Sequence, residues 1–271
     1  MKINKVCKLP ENLKATLVFA IASFATSGIN YITTPIFTRI LSTSEYGLIS
    51  VYNSWFEIVR VFASVTLIFP GILNVGLYEH SDNRWKYLSS MLGMTACSTV
   101  VISVFYGIFH QSVNEFFKLP VSTIILMLIT CFFQPATIFW TQKQRYEIKY
   151  KSTFCVSVGT AVMAQVVSVI AVLCLKNSNH NMGVVRLWSA GIVNLIVAIF
   201  LYIYICRRGK KYVDSILWKS TLFVAVPLIP HYLSTVVLSS IDKIMISQMI
   251  SQNKTGIYSL AAILSAIGVL I

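Results

Sequence analysis

Glu57 and Arg60 stand three residues apart in YNSWFEIVRVFASV, residues 52–65, inside a largely apolar run. A carboxylate and a guanidinium at this spacing share one helix face and can neutralise each other. They can also form a site: arginine stays charged, and its planar fork suits phosphate oxygens. Either way a charge in hydrocarbon costs at least about 2.5 kcal/mol, and such residues usually face a bundle interior or a wet cavity. A structural pair and a binding site are both open readings here, and a pair can gate a cavity.

Two further places carry ionisable groups at membrane depth. Asp242 and Lys243 are adjacent in IDKIMISQ, and adjacent residues do not share a helix face, so each needs a partner on another helix. His231 follows Pro227 and Pro230 in VPLIPHYLS. Two prolines three apart remove backbone donors and are expected to kink or break the helix, and transporters place sites at broken helices. A lone histidine in a membrane is more often hydrogen-bonded structure than a proton relay.

Polar residues also recur at helical spacing. Ser23, Ser27, Asn30, Thr34 and Thr38 form one stripe, and Tyr46, Ser50, Asn53, Glu57, Arg60 and Ser64 form a second. Spacings of three and four put each set on one helix face. Asn30, Asn53, Glu57 and Arg60 predict a wet cavity between these helices. Thr130, Gln134, Thr137 and Thr141 make a shorter stripe, which is read as helix-packing contact.

The elements that must position these residues are membrane helices. The chain has 271 residues, of which 56% are hydrophobic and only 11% charged, against roughly 25% charged in a soluble domain. Apolar spans are predicted near 15–38, 46–70, 88–109, 120–141, 152–175, 186–206 and 217–250, with a last one starting near 257. The second span opens with Ser42-Thr43-Ser44-Glu45, which fits a capping box. The six cysteines form no CxxC and no Cys/His cluster, so neither a disulfide framework nor a zinc site is legible.

The net charge of +13 is a topology signal rather than a nucleic-acid footprint. Fifteen of the 22 Lys and Arg residues fall in alternate connections: the N-terminus, 79–87, 143–151 and 207–219. Basic connections stay cytoplasmic, so the N-terminus is expected inside. Arg39 and four other cations fall in the opposite connections.

An internal repeat is also predicted. RILSTSEYGLISV at 39–51 aligns with QMISQNKTGIYSL at 248–260, an offset of 209 that pairs Gly47 with Gly256. Six crossings separate the copies, so both point the same way, the layout of a parallel repeat. The chain therefore reads as an N-terminal six-helix lobe over 1–211 and the beginning of a second lobe over 212–271, a truncated piece of a larger transporter.

TRILSTSEYGLISVYNSW, and VPLIPHYLSTVVLSSIDKIMISQMISQNKTGIYSLAAI after the sixth span, resemble the Wzx-type O-antigen and capsule flippases. These are the polysaccharide branch of the multidrug/oligosaccharidyl-lipid/polysaccharide (MOP) superfamily. The resemblance implies an all-α, MATE-like bundle of two similar lobes around a central cavity in the bacterial inner membrane. It implies movement of undecaprenyl-pyrophosphate-linked oligosaccharide from the cytoplasmic to the periplasmic leaflet, with Arg60, Lys243 and Arg39 as the candidate cations. Glu57, Asn53, Asn30, Asp242 and His231 complete the expected cavity set. No cofactor or metal is expected, and any coupling would be to H+ or Na+. The expected partners are the lipid-linked oligosaccharide, membrane lipids, and polysaccharide polymerase and chain-length proteins.

The competing classes are weaker. A drug or cation antiporter of the same superfamily would use Glu57 and Asp242. A membrane glycosyltransferase or polymerase would need a large extramembrane loop, and the longest connection is about a dozen residues. A non-transporting fragment or scaffold gives no account of the polar stripes. GxSxG, Walker and HExxH motifs are all lacking.

Overall fold

The computed structural model describes residues 11–176 and 180–270, so Lys2, Lys5 and Lys8 of the basic N-terminus lie outside the described residues. Nine α-helices and no strands occur among these residues: α1 (Glu11–Ile40), α2 (Thr43–Ala63), α3 (Pro70–Glu79), α4 (Arg84–Phe117), α5 (Val121–Tyr146), α6 (Tyr150–Leu175), α7 (Met182–Gly209), α8 (Ser215–Met249) and α9 (Gln252–Leu270). Six of them, α1 and α4 to α8, are long and apolar enough to cross a membrane. Their outer faces are apolar: Phe223 is 83% exposed, Leu238 78% and Phe24 70%. A water-soluble bundle would bury such faces; here lipid is their partner. The protein is a multi-pass membrane helical bundle.

The chain runs up and down, so its connections gather at two ends. At one end Glu45 Oε1 accepts from the backbone N–H of Met182 at 2.7 Å, and Lys118 Nζ donates to the carbonyls of Ser247 and Gln248 at 3.2 and 3.0 Å. At the other end Glu147 pairs with Arg84 (3.4 Å), Lys143 (2.5 Å) and Lys149 (2.8 Å). Asp214 there pairs with Lys86 (3.7 Å) and Lys211 (2.8 Å). These are called the capping end and the basic end.

The predicted capping box is present. Ser42 caps α2, its hydroxyl accepting from the Glu45 N–H, while the Glu45 carboxylate accepts from the Ser42 N–H at 2.8 Å. The same carboxylate holds the start of α7, so one residue fixes the entry of two helices.

Three expectations are corrected. The second span does not run to residue 70 as one helix. α2 stops at Ala63, and Ser64 to Phe69 turn before Pro70 opens α3. Val65 and Thr66 lie at φ 50° and 60°, a left-handed conformation that is strained for β-branched residues. The break survives because it is buried in protein: Ser64, Thr66 and Leu67 are fully enclosed. Thr66 Oγ1 donates to the Ala225 carbonyl at 3.3 Å, and the Ser98 hydroxyl to the Phe62 carbonyl at 2.9 Å. Irregular backbone at membrane depth is tolerated only under such cover.

Conversely, α8 continues through Pro227 and Pro230 without interruption. Each proline removes one donor, but the neighbouring ladder bonds remain, and membrane helices tolerate this. The Tyr232 ring stacks on Phe69 beyond the α2–α3 break, with centroids 3.7 Å apart. The third span, expected to end at residue 109, continues as α4 to Phe117, with a kink at Phe109 where φ is −109° and ψ 25°.

α2 and α9 cross at the capping end, and both need a glycine there. A Cβ on Gly47 would lie 1.9 Å from the Gln252 carbonyl oxygen, and one on Gly256 2.0 Å from that of Thr43. Small residues let membrane helices approach this closely. The contact is reciprocal: Thr43 is to Gln252 as Gly47 is to Gly256, each pair offset by the 209 residues of the sequence alignment. Thr43 Oγ1 also meets Asn253 Oδ1 at 3.0 Å.

Candidate functional site

Between these helices lies a cavity of about 680 Å³, lined from α1, α2, α5, α6, α7, α8 and α9. Its wall can be ordered by depth, at 1.5 Å per helical residue. Near the capping end stands Arg186, four residues into α7, or about 6 Å. Lys243 is six residues before the end of α8, or about 9 Å. Deeper in, at about 15 to 20 Å, are five carboxamides: Asn30, Asn53, Gln134, Gln165 and Asn194. Hydroxyls of Thr34, Ser50 and Thr130 and rings of Tyr31, Tyr46, Tyr52 and Phe56 fill the wall between them. Among the described residues no Asp or Glu lines the cavity.

Arg186 is set by its helix start. Asn181 caps α7, its Oδ1 accepting from Gly183 and Val184 N–H at 3.0 and 3.2 Å. One turn on, the guanidinium lies over the Phe37 ring, 3.8 Å from the centroid, and 5.7 Å from that of Tyr46. The guanidinium also hydrogen-bonds the Tyr46 side chain. Its edge keeps a buried donor, Nη1, with no hydrogen-bond partner. A buried N–H of this kind is costly to leave unmade and is a ready donor to an anionic oxygen.

The amides are less strained. Gln165 Nε2 donates to Asn30 Oδ1 at 2.8 Å, joining α6 to α1, and Asn194 Nδ2 donates to the Ala190 carbonyl at 2.9 Å. Each retains further donor or acceptor capacity.

Of the residues expected from sequence, the structure brings Asn30, Asn53 and Lys243 into this cavity. Glu57 and Arg60 do not line it; they form an ion pair with each other just below, where Arg60 lies 5.7 Å from the centroid of cavity-lining Phe56. Arg60 is 17 residues into α2, about 26 Å from the capping end, and its Nε is buried without a partner. Asp242 is exposed and accepts from Tyr258 Oη at 2.9 Å. His231 and Arg39 are exposed and lie outside the lining. Thr130 and Gln134, read from sequence as packing contacts, face the cavity instead.

Arg186, Gln165 and Asn194 were missed. The apolar pattern starts the sixth span at residue 186, which makes Arg186 a loop residue, whereas α7 starts at Met182. The missed signal was Asn181, a strong N-cap residue directly before the apolar run. Gln165 and Asn194 are single amides in otherwise apolar helices and form no stripe. Among the described residues no group of His, Cys, Asp and Glu could hold a metal ion.

Fold and cavity together define a membrane-embedded bundle with a polar, cationic interior. A model of the polysaccharide biosynthesis protein family matches residues 12–271, and the chain belongs to that family. No curated protein and no solved structure matches the chain.

Proposed function

We propose that the protein takes part in flipping an undecaprenyl-pyrophosphate-linked oligosaccharide, the repeat unit of an O-antigen or capsule, across the bacterial inner membrane. Movement is from the cytoplasmic to the periplasmic leaflet, with the basic end and the N-terminus inside. The observation that carries the reading is the cavity, whose wall offers, among the described residues, five carboxamides, four aromatic rings and two cations and no carboxylate. Amides and rings suit sugar hydroxyls and ring faces, and cations suit the charge that accompanies them. The tail can stay in lipid while the head group crosses through the protein. Arg60 stands about 26 Å below the capping end, near the level of the inner interface, and receives the pyrophosphate there, with Glu57 holding the guanidinium when the site is empty. The reciprocal crossing of α2 and α9 supports a two-lobe arrangement in which these helices belong to equivalent halves. Family and fold favour a transporter over an enzyme. An antiporter reading would need a free carboxylate in the cavity, whereas Glu57 is held by Arg60 and Asp242 by Tyr258.

The test is leaflet exchange in reconstituted vesicles, read as loss of a lipid-linked oligosaccharide's protection from an external glycosidase. Exchange should depend on the protein and fall at least tenfold in Arg186→Ala/Lys243→Ala. Exchange no faster than in empty vesicles would refute the reading.

A further inference from the structure

A second pocket, of about 690 Å³, lies at the basic end and shares no residue with the central cavity. Phe200, Ile203, Tyr204, Arg207, Arg208 and Lys210 line it. The first five recur at spacings of three, four, seven and eight residues, so they share one face of α7. That face is layered. Phe200 and Ile203 are exposed where lipid is their partner. The three cations crown it, and Phe200 lies nine residues, or about 14 Å, below the helix end at Gly209.

The crown is held in place by packing. A Cβ on Gly209 would lie 2.2 Å from Ser89 Cβ and 2.4 Å from the Trp85 carbonyl oxygen, so only glycine lets α7 end this close to α4. There the Arg208 guanidinium carbon lies 5.3 Å from the Tyr204 ring centroid and 5.7 Å from that of Trp85, and these two rings meet edge to face. Lys210 follows in the left-handed conformation, φ 57°, which turns the chain back and brings its side chain to the same pocket.

The charges there are unspent. Glu147 and Asp214 pair with five other cations of the basic end. The side chains of Arg207, Arg208 and Lys210 make no hydrogen bond and no ion pair among the described residues. A topology signal needs only charge; it needs neither an aromatic cradle nor an apolar slot beneath it. Basic pockets beside membrane helices bind lipid head groups. The carbonyl end of α7 offsets about half a charge, so a dianionic head group matches the three cations better than a singly charged one.

We propose that this pocket binds a phospholipid with two phosphodiesters, of the cardiolipin type, its phosphates on Arg207, Arg208 and Lys210 and its acyl chains along Phe200 and Ile203. The site is separate from the transport path and independent of the flippase reading. The experiment is native mass spectrometry of the purified full chain in neutral detergent, with cardiolipin, phosphatidylglycerol and phosphatidylcholine as probes. Cardiolipin should bind at least tenfold more tightly than phosphatidylglycerol at equal phosphate, and phosphatidylcholine more weakly still. Arg207→Gln/Lys210→Gln removes two exposed charges and no protein contact, so the fold is untouched; it should cut cardiolipin affinity at least tenfold. Lys151→Gln/Lys219→Gln removes the same charge from exposed sites outside the pocket and should change it less than twofold. Equal binding of the two anionic lipids, or equal losses in the two double variants, overturns the proposal. So does displacement of cardiolipin by undecaprenyl pyrophosphate at equal concentration, which would make the pocket a port for a polyprenyl anchor.

Discussion

Replacing Gly47 by alanine should loosen the capping end. The added Cβ would sit 1.9 Å from the Gln252 carbonyl oxygen and 2.8 Å from its carbonyl carbon. Ordinary carbon–oxygen contacts across helices are about 3.3 Å or longer, so α2 and α9 must separate by roughly 1.4 Å. The clashing atoms are backbone, so no side chain can rotate away. Overpacking of this kind costs about 1 to 3 kcal/mol, which corresponds to an approximately 5- to 150-fold shift toward the open seam. The assay is disulfide formation between Thr43→Cys and Asn253→Cys in a chain whose own cysteines are replaced, since those two side chains meet at 3.0 Å. Cross-linking should fall at least fivefold in Gly47→Ala and likewise in Gly256→Ala, whose Cβ would lie 2.0 Å from the Thr43 carbonyl oxygen. The double variant should lose little more than either single one, because one separation relieves both clashes. Gly159→Ala is the control, with nothing within 4 Å of its added carbon. Unchanged cross-linking in Gly47→Ala would show that the helices are not held at this distance, and the reasoning would fail.

Single cysteines at Lys149 and Lys210 should resist an impermeant thiol reagent in cells with a permeable outer membrane, and one at Lys176 should react; the reverse pattern would invert the topology. Glu147 is pushed up by burial, but bonds from Lys143 and Lys149 outweigh this and hold it at about 2. Its contribution is thus present above the ordinary carboxylate value of about 4.3 and is lost as pH falls toward 2. Glu147→Gln should lower stability by about 3 kcal/mol, because it strips the buried Lys143 of its counter-ion. In thermal melts the gap from wild type should be constant from pH 7 to 5 and close below about 4; a gap that varies between pH 7 and 5 would contradict this origin. The Glu57→Arg/Arg60→Glu swap should keep protein levels and abolish surface polysaccharide, because the cation moves most of a turn; normal polysaccharide would reduce the pair to a structural one.

The features legible in the sequence were those written as local patterns. Helices α4 to α8 follow from apolar runs flanked by basic connections, and Ser42 with Glu45 marks the start of α2 at the residue where it occurs. Asn30, Asn53 and Lys243 were legible as cavity residues because two extend stripes and the third is a charge at membrane depth. The break after Ala63 was not, because ASVTLIF has no proline or glycine. What bends it is tertiary: Thr66 bonded to α8 and Leu67 enclosed. VPLIPHYLS erred the other way, since its prolines predict a break that the rest of the ladder absorbs.

Arg186 shows why a single helix boundary can hide a site. Read as the first residue of a span, it is one more interfacial cation that can snorkel to water. Moved one turn inward by the Asn181 cap, the same side chain lies over Phe37 with a buried N–H that finds no partner. A displacement of four residues, about 6 Å, thus changes a topology marker into a charge of the cavity wall. The stripe of α2 points to the same end of the molecule: its upper members Tyr46, Ser50 and Asn53 line the cavity, while Glu57 and Arg60 fall below it. The polar face is continuous in sequence but occupies two levels of the bundle, the cavity wall above and the Glu57–Arg60 ion pair below.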